Sequence, residues 1–211
     1  MIPDKETMQQ ALIKRHGKEL QEKISQASVA VCGLGGLGSN VAIALARAGI
    51  GRLHLIDFDK VDISNLNRQQ YLITQLDKYK VDAMRENLKE IAPYTEVVCD
   101  CIKITEENLK HLFQQDTIIC EAFDVPEAKA VLVNGVLEFY PDKKIVSASG
   151  MAGLGSSNTI RTRKITDNFY LCGDEISDSN AGLGLISSRV LICAAHEANM
   201  ILRLIAGKTE A

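Results

Sequence analysis

Glycines at 33, 35 and 38, in the run Gly33-Leu-Gly-Gly-Leu-Gly38, constrain this chain more than any other feature of its sequence. The apolar run Ser28-Val-Ala-Val-Cys32 before them reads as a short buried strand, and Ser39 to Ala48 after them as a helix ended by Gly49. Arg52-Leu-His-Leu-Ile56 is the next strand and stops at Asp57, so residues 28 to 57 form a strand, a glycine turn, a helix and a strand. That is about thirty residues, the length of one parallel crossover. Glycines at 33, 35, 36 and 38 permit a tight turn and close approach of phosphate to backbone N–H groups at a helix N-terminus. A carboxylate at the end of the second strand, Asp57, nineteen residues beyond Gly38, can accept from ribose hydroxyls. A nucleotide site is expected, against the alternative of a tight turn that binds nothing. The turn alone does not say which nucleotide, so a nicotinamide-dependent dehydrogenase stays open at this point.

The rest of the chain extends this unit. Residues 4 to 25 place Met8, Leu12, Ile13, Leu20 and Ile24 at helical intervals among charges, which predicts one amphipathic helix serving as lid, brace or dimer arm. Helices are expected over Lys80 to Ile91, over Thr105 to Phe113 with Thr105 as cap, and from Pro126 to Phe139. Strands are expected at Glu96 to Ile102, Thr117 to Cys120 and Lys144 to Ala148. The alternation predicts an α/β fold, a Rossmann-like doubly wound and mainly parallel sheet. After residue 149 the pattern changes to an antiparallel hairpin (159–163 and 168–171), a glycine-bearing loop from Gly173 to Gly184, and a long helix to about Ala206. We expect one domain over 1–211, with an arm at 1–25, a core at 28–149 and the hairpin, late loop and last helix at 150–211.

Charge and cysteines narrow the setting. With 24 Lys+Arg against 27 Asp+Glu the net charge is −3, and no basic run offers a face to polyphosphate, which argues against nucleic acid as the main partner. Neither a secretory signal nor a membrane-spanning run is visible, and a cytoplasmic setting is expected. Six cysteines, mostly within apolar stretches, read as reduced buried thiols. Cys99 and Cys101 are expected to face one side of a strand and pack in the sheet. Cys193 and His196, three apart on a helix, could share a metal but lack a third ligand.

The segment after Asp57 carries the chemistry. Asp57-Phe-Asp59-Lys-Val-Asp-Ile-Ser64-Asn65-Leu-Asn-Arg68-Gln69 gathers acids, an amide and an arginine beyond the carboxyl end of a strand, where doubly wound sheets bind ligands. Arg68 can grip phosphate oxygens in a fork, Asn65 can donate to them, and Lys80 can add a point charge. Hydride transfer has no use for this cationic set. Adenylyl transfer does, because attack at the α-phosphate spreads negative charge over its oxygens and the departing pyrophosphate. The bland alternatives are loop carboxylates at Asp57 and Asp59, solvated charges at Arg68 and Lys80, and Asp124 as the cap of the helix begun at Pro126.

Together with Ala48-Gly-Ile-Gly51, Lys80 in Tyr-Lys-Val-Asp-Ala, Asp124 and the final helix, these motifs resemble the superfamily of ubiquitin-activating enzymes and their bacterial relatives ThiF and MoeB. The compact length and the stretch from Gly182 onward are most similar to short ThiF proteins. The resemblance implies an enzyme that uses ATP and Mg²⁺ to adenylylate the C-terminal glycine carboxylate of a ubiquitin-fold sulfur carrier ending in Gly-Gly, of ThiS type, in thiamine biosynthesis. Carried over by position, Gly33, Gly35, Gly36, Gly38, Asp57, Asp59, Ser64 and Asn65 hold the nucleotide, Arg68 and Lys80 bind and polarise the phosphates, and Asp124 engages magnesium. Arg15 matches an arginine that reaches the ATP site of a neighbouring subunit, which implies a homodimer. Cys172 is the candidate for a thiol that links covalently to the carrier. Two departures stand out. Paired Cys-x-x-Cys motifs are missing, so zinc is not expected, and Val125 occupies a position that is commonly Asn. The same chemistry on a carrier for molybdopterin, cysteine or a peptide product, and a non-catalytic nucleotide-binding docking module, remain as alternatives.

Overall fold

The computed structural model describes residues 2–177 and 184–211. Two helices open the chain, α1 (Lys5–His16) and α2 (Lys18–Gln26). The single amphipathic helix expected over 4 to 25 is therefore corrected to two. They break at Gly17, whose φ of 84° lies in the left-handed region that a helix cannot continue through. α1 buries none of its residues, whereas α2 buries Gln21 and Ile24.

The core then runs β1 (Ser28–Cys32), α3 (Gly36–Arg47), β2 (Arg52–Ile56), α4 (Lys80–Ile91), β3 (Glu96–Asp100), α5 (Glu106–Leu112), β4 (Ile118–Glu121), α6 (Pro126–Phe139) and β5 (Lys144–Ala148). It closes with β6 (Arg161–Lys164), β7 (Phe169–Gly173) and α7 (Ser187–Ile205). Among the described residues, seven strands form one sheet in the order β3-β2-β1-β4-β5-β7-β6. Every pairing is parallel except that of β6 with β7. The hairpin thus extends the main sheet, because β7 adds in parallel to β5 with Ile145 opposite Phe169.

Strand alternation sorts the core into two layers. Val29, Val31, Leu53, Leu55, Ile118, Cys120 and Val146 face one side, which α3, α4 and α7 cover. Ala30, Cys32, Ile56, Ile119 and Ile145 face the other, under α5 and α6. Both faces of the central strands are covered, which is why β1 is buried at all five positions. Cys101 lies one residue past β3 and is exposed, while Cys99 is half-buried and donates to the carbonyl of Val81 at 3.5 Å. The expectation that the two pack together in the sheet is corrected accordingly, since the strand stops at Asp100. No helix among the described residues is long and apolar enough to cross a membrane.

The strand order reverses at β1, with β2 and β3 on one side and β4 and β5 on the other. Connections leave the carboxyl ends of β1 and β4 in opposite directions, and the crevice between them is where a ligand fits in such a sheet.

Candidate nucleotide site

The glycine run turns the chain from β1 into α3 over a space that admits no side chains. Gly33 has φ 89°, and a β-carbon there would stand 2.9 Å from the carbonyl oxygen of Ala122. At Gly38 a β-carbon would overlap the carbonyl oxygen of Gly33, so helix and strand approach as closely as backbone allows. Gly36 is covered by Val190 of α7 and by the aliphatic stem of Arg68. α3 begins at Gly36, three residues before the expected start, and no side chain caps it. Its first N–H groups therefore point into the crevice without intrahelical partners, with the positive end of the helix dipole behind them.

Asp57, at the end of β2, is buried and accepts from Leu34 N–H at 2.6 Å and from Asp59 N–H at 2.7 Å. It fastens the glycine turn to the loop that follows β2. Burial raises its pKa despite the opposing charge of Lys80 and those two hydrogen bonds. Tyr71 adds a second tie, donating to the carbonyl of Leu34 at 2.8 Å. Lys80, buried at the start of α4, holds its Nζ 2.8 Å from Asp59 and 3.8 Å from Asp57. Asp59 itself is exposed, with 54% of its side chain open.

The loop 62–69 is wound on itself. Asp62 accepts from the N–H of Ser64 at 2.8 Å and from its hydroxyl at 2.5 Å. Arg68 donates to the carbonyl of Ser64 at 3.3 Å, to Asn67 at 2.9 Å and to Asn65 at 3.3 Å. Burial lowers the Arg68 pKa, and the Asp124 carboxylate across the crevice opposes that shift. Asn67 in turn donates to Leu185 O at 2.9 Å, which ties this loop to the entry of α7. Gln69, buried beside the turn, donates to Asn65 at 3.0 Å.

On the far wall, Asp124 lies exposed in the loop after β4. It is not the cap of α6, a position held by Val125 with no side-chain bond. The structure thus brings Gly33, Gly35, Gly36, Gly38, Asp57, Asp59, Ser64, Asn65, Arg68, Lys80 and Asp124 to one edge of the sheet. Arg15 does not join them, because α1 lies at the opposite edge, where Leu12 reaches the space above Gly49 and Pro3 O accepts from Tyr94. A hollow of about 460 Å³ under α1, lined by Met8, Leu12 and Ile50 among others, also lies at that edge and apart from this chemistry.

Cys172 is corrected. It is fully buried in β7, within 3.5 Å of the Thr162 hydroxyl, and burial with the nearby Glu197 charge pushes its pKa up to about 12. That environment suits a structural thiol and opposes a nucleophile. Of the late loop expected from Gly173 to Gly184, residues 178–183, Gly182 among them, lie outside the described residues. Of the Cys193–His196 pair, Cys193 is buried and His196 Nδ1 pairs with the Thr162 hydroxyl at 3.0 Å.

Sequence reasoning missed the groups that hold the walls. Glu121, fully buried at the end of β4, takes two contacts from Lys129 at 2.8 and 2.9 Å, the Ser147 hydroxyl, and Phe123 N–H at 2.7 Å. It thereby sets the path of the loop that carries Asp124. Arg189 on α7 grips Gly155 O at 2.6 Å, Ser156 O at 2.7 Å and Asp174 at 2.5 Å, joining the loops after β5 and β7. The only signal for either pair in the sequence was a charge inside an otherwise apolar run.

The donor set fits a nucleoside triphosphate, with a cradle that β-carbons would fill, uncapped N–H groups and Arg68 and Lys80 on one wall. No group of three or more His, Cys, Asp or Glu arranged to hold a metal ion lies among the described residues. Asp124 alone fits magnesium in the way that ion is commonly held, by one or two carboxylates together with phosphate oxygens and water.

Comparison with known proteins agrees with this geometry. The family model described as ThiF family matches residues 7–211. Over 98 residues the chain is 44% identical to the tRNA threonylcarbamoyladenosine dehydratase of Bacillus subtilis (strain 168), covering 46% of this chain and 39% of that protein. Over 143 residues it is 34% identical to the adenylyltransferase and sulfurtransferase uba4 of Aspergillus terreus, covering 67% of this chain and 29% of the relative. The chain therefore spans well under half the length of these curated relatives, neither of which is a short ThiF protein. Its fold superposes on the E. coli tRNA N6-threonylcarbamoyladenosine dehydratase in complex with ATP, with a TM-score of 0.86 at 20% identity and 98% of each chain covered. With the family model spanning nearly the whole sequence, the chain belongs to the ThiF family.

Proposed function

We propose that this chain adenylylates a carboxylate with ATP. The observation that carries the reading is the convergence, at one switch-point crevice, of an uncapped glycine-lined helix N-terminus with Asn65, Arg68 and Lys80 on one wall and Asp124 on the other. The acceptor carboxylate oxygen attacks the α-phosphorus. The bond from that phosphorus to the β-bridging oxygen breaks, and pyrophosphate leaves with the electron pair. The N–H groups at Gly36 to Gly38 and the Arg68 fork hold the phosphate oxygens on which charge grows. Asp57 and Asp59 supply acceptors for ribose hydroxyls and hold Lys80 oriented between them. Magnesium, held by Asp124 and the triphosphate, would neutralise the departing pyrophosphate.

The first-choice acceptor is the C-terminal glycine of a ubiquitin-fold sulfur carrier ending in Gly-Gly, of ThiS type, in thiamine biosynthesis. The motifs from Gly33 to Lys80 support it, as does the similarity to the adenylyltransferase and sulfurtransferase uba4. A second acceptor is favoured by the 44% identity to the tRNA dehydratase. Threonylcarbamoyladenosine carries a free carboxylate, and adenylylation would turn one of its oxygens into a leaving group. The net charge of −3 weighs against a tRNA surface. A homodimer belongs to this proposal too. Because Arg15 lies at the opposite edge of its own chain, only a second copy can bring it to the crevice.

ATP–pyrophosphate exchange with Mg²⁺ tests the reading in three arms: no acceptor, a Gly-Gly-ending carrier, and threonylcarbamoylated tRNA. Exchange that requires the carrier supports the first acceptor, and exchange that requires the tRNA replaces it with the second. Absence of exchange in every arm, with ATP bound, leaves a docking module.

A further inference from the structure

One cation fixes the orientation of two side-chain amides at the crevice. Arg68 Nη2 approaches a terminal atom of Asn65 at 3.3 Å, and a guanidinium has donors only, so that atom is the carbonyl oxygen. Gln69 approaches the same oxygen at 3.0 Å and therefore presents its NH₂ group to it. Two consequences follow. Asn65 Nδ2 is turned away from both neighbours and has no acceptor among the described residues. Gln69 Oε1 is buried without a partner among the described residues, on a side chain only 7% exposed. The pair lies against the glycine turn, with Gln69 Nε2 3.9 Å from where a β-carbon of Gly35 would stand.

We propose that Gln69 is a positioning residue: it pins the Asn65 oxygen so that Asn65 Nδ2 faces the crevice as a donor to phosphate oxygens. An amide free to turn over presents oxygen to the anion in one of its two orientations, and that orientation repels it. Arg68 also holds the Asn65 oxygen, but it is the cation drawn toward phosphate when nucleotide enters. Gln69 is then the donor that remains. Its own unpaired Oε1 is the consequence of aiming Nε2 at Asn65. This inference rests on the nucleotide reading above.

The test is a double-mutant cycle on ATP affinity, measured by calorimetry with wild type, Asn65→Ala, Gln69→Glu and the double variant. In Gln69→Glu a carboxylate replaces the donor, so the Asn65 amide turns over and offers its oxygen to the phosphates. Each single variant is expected to lose about tenfold in affinity, and the double variant no more than about tenfold, because both act through the same amide. A general structural role predicts multiplied losses near one hundredfold, and that result overturns the proposal. So does a Gln69→Glu variant that binds ATP as wild type does. Should Gln69→Glu lower the melting temperature, Gln69→Met takes its place in the cycle, with a loss of about threefold that vanishes in the Asn65→Ala background. A wild-type chain with no affinity for ATP defeats the nucleotide reading itself, a result distinct from a wild type that binds ATP beside a variant that binds it equally well.

Discussion

Two of the polar clusters on the sheet differ in how their carboxylates and cations are engaged. Beneath α5, towards the amino ends of the strands, Asp116 accepts from Ser28 at 2.9 Å, Arg52 at 2.6 Å and His54 at 2.8 Å, and the other nitrogen of His54 meets Asp100 at 2.9 Å. These residues lie far apart in sequence, and together they staple β1, β2, β3 and the turn before β4. At the carboxyl ends the crevice cluster is open: α3 is uncapped, Gln69 Oε1 has no partner among the described residues, and Arg68 rests on acceptors of its own loop. A cluster built round a buried carboxylate that takes three side-chain partners stabilises the fold, although Arg52 Nε within it has no hydrogen-bond partner among the described residues. One that leaves donors aimed into a crevice is arranged for an anion that arrives later.

Removing the hub of the closed cluster is expected to have the largest effect on the protein. Asp116→Ala strands Arg52, Ser28 and His54 under α5, and breaking a buried pair in this way costs about 3 to 5 kcal/mol. At roughly 2 to 4 °C per kcal/mol for a chain of this size, thermal melting falls by about 10 °C, while the folded variant keeps its ATP affinity. An Asp116→Ala chain that melts normally but binds ATP poorly would invert the contrast between the two clusters.

The open cluster should answer the other way. Arg68→Ala and Asp124→Ala are expected to lose at least about one hundredfold in pyrophosphate exchange, equivalent to about 2.7 kcal/mol of transition-state stabilisation. Both should melt within about 2 °C of wild type, because neither side chain ties elements of the core together. Full exchange activity in both variants would remove these residues from the roles proposed for them.

How far each cluster could be read from the sequence follows the same division. The glycine turn, Asp57, Arg68 and Lys80 are local signals, each placed by its distance along the chain from a strand end. β1, β2 and β5, and helices α4 and α6, fall within the expected bounds because apolar runs and Pro or Gly punctuation delimit them. The start of α3 was not legible. Gly36 and Gly38 have poor helix propensity, and only close packing of the helix on β1 and β4 draws them into its first turn. Nor was the break at Gly17, since helical periodicity continues across it. The ties from His54 to Asp116, Glu121 to Lys129 and Arg189 to Asp174 join residues that no periodicity relates, and the sheet topology decides which of them meet.

The smallest expected effect concerns pH and sharpens the contrast further. Burial works against a charged His54, but its hydrogen bonds to Asp116 and Asp100 outweigh burial and raise its pKa. A raised pKa in the folded state means that the protonated ring stabilises the fold fully below the unfolded value of about 6.5, and that this contribution is lost as pH climbs through the folded value. Asp116 shifts downward, opposed by burial but driven by His54, Ser28 and Arg52, so its contribution is lost only in acid, as pH falls through its own folded value. The closed cluster is therefore strongest between those limits. The melting temperature should decline between about pH 6.5 and 8, a window that stops short of thiol ionisation in the unfolded chain. The decline should flatten in His54→Gln. Asp100 is 41% exposed, so solvent weakens its half of the pairing and the change should be modest. ATP affinity in the same window should not follow the His54 titration, because this ring belongs to the cluster that holds the sheet together and not to the one that faces the nucleotide.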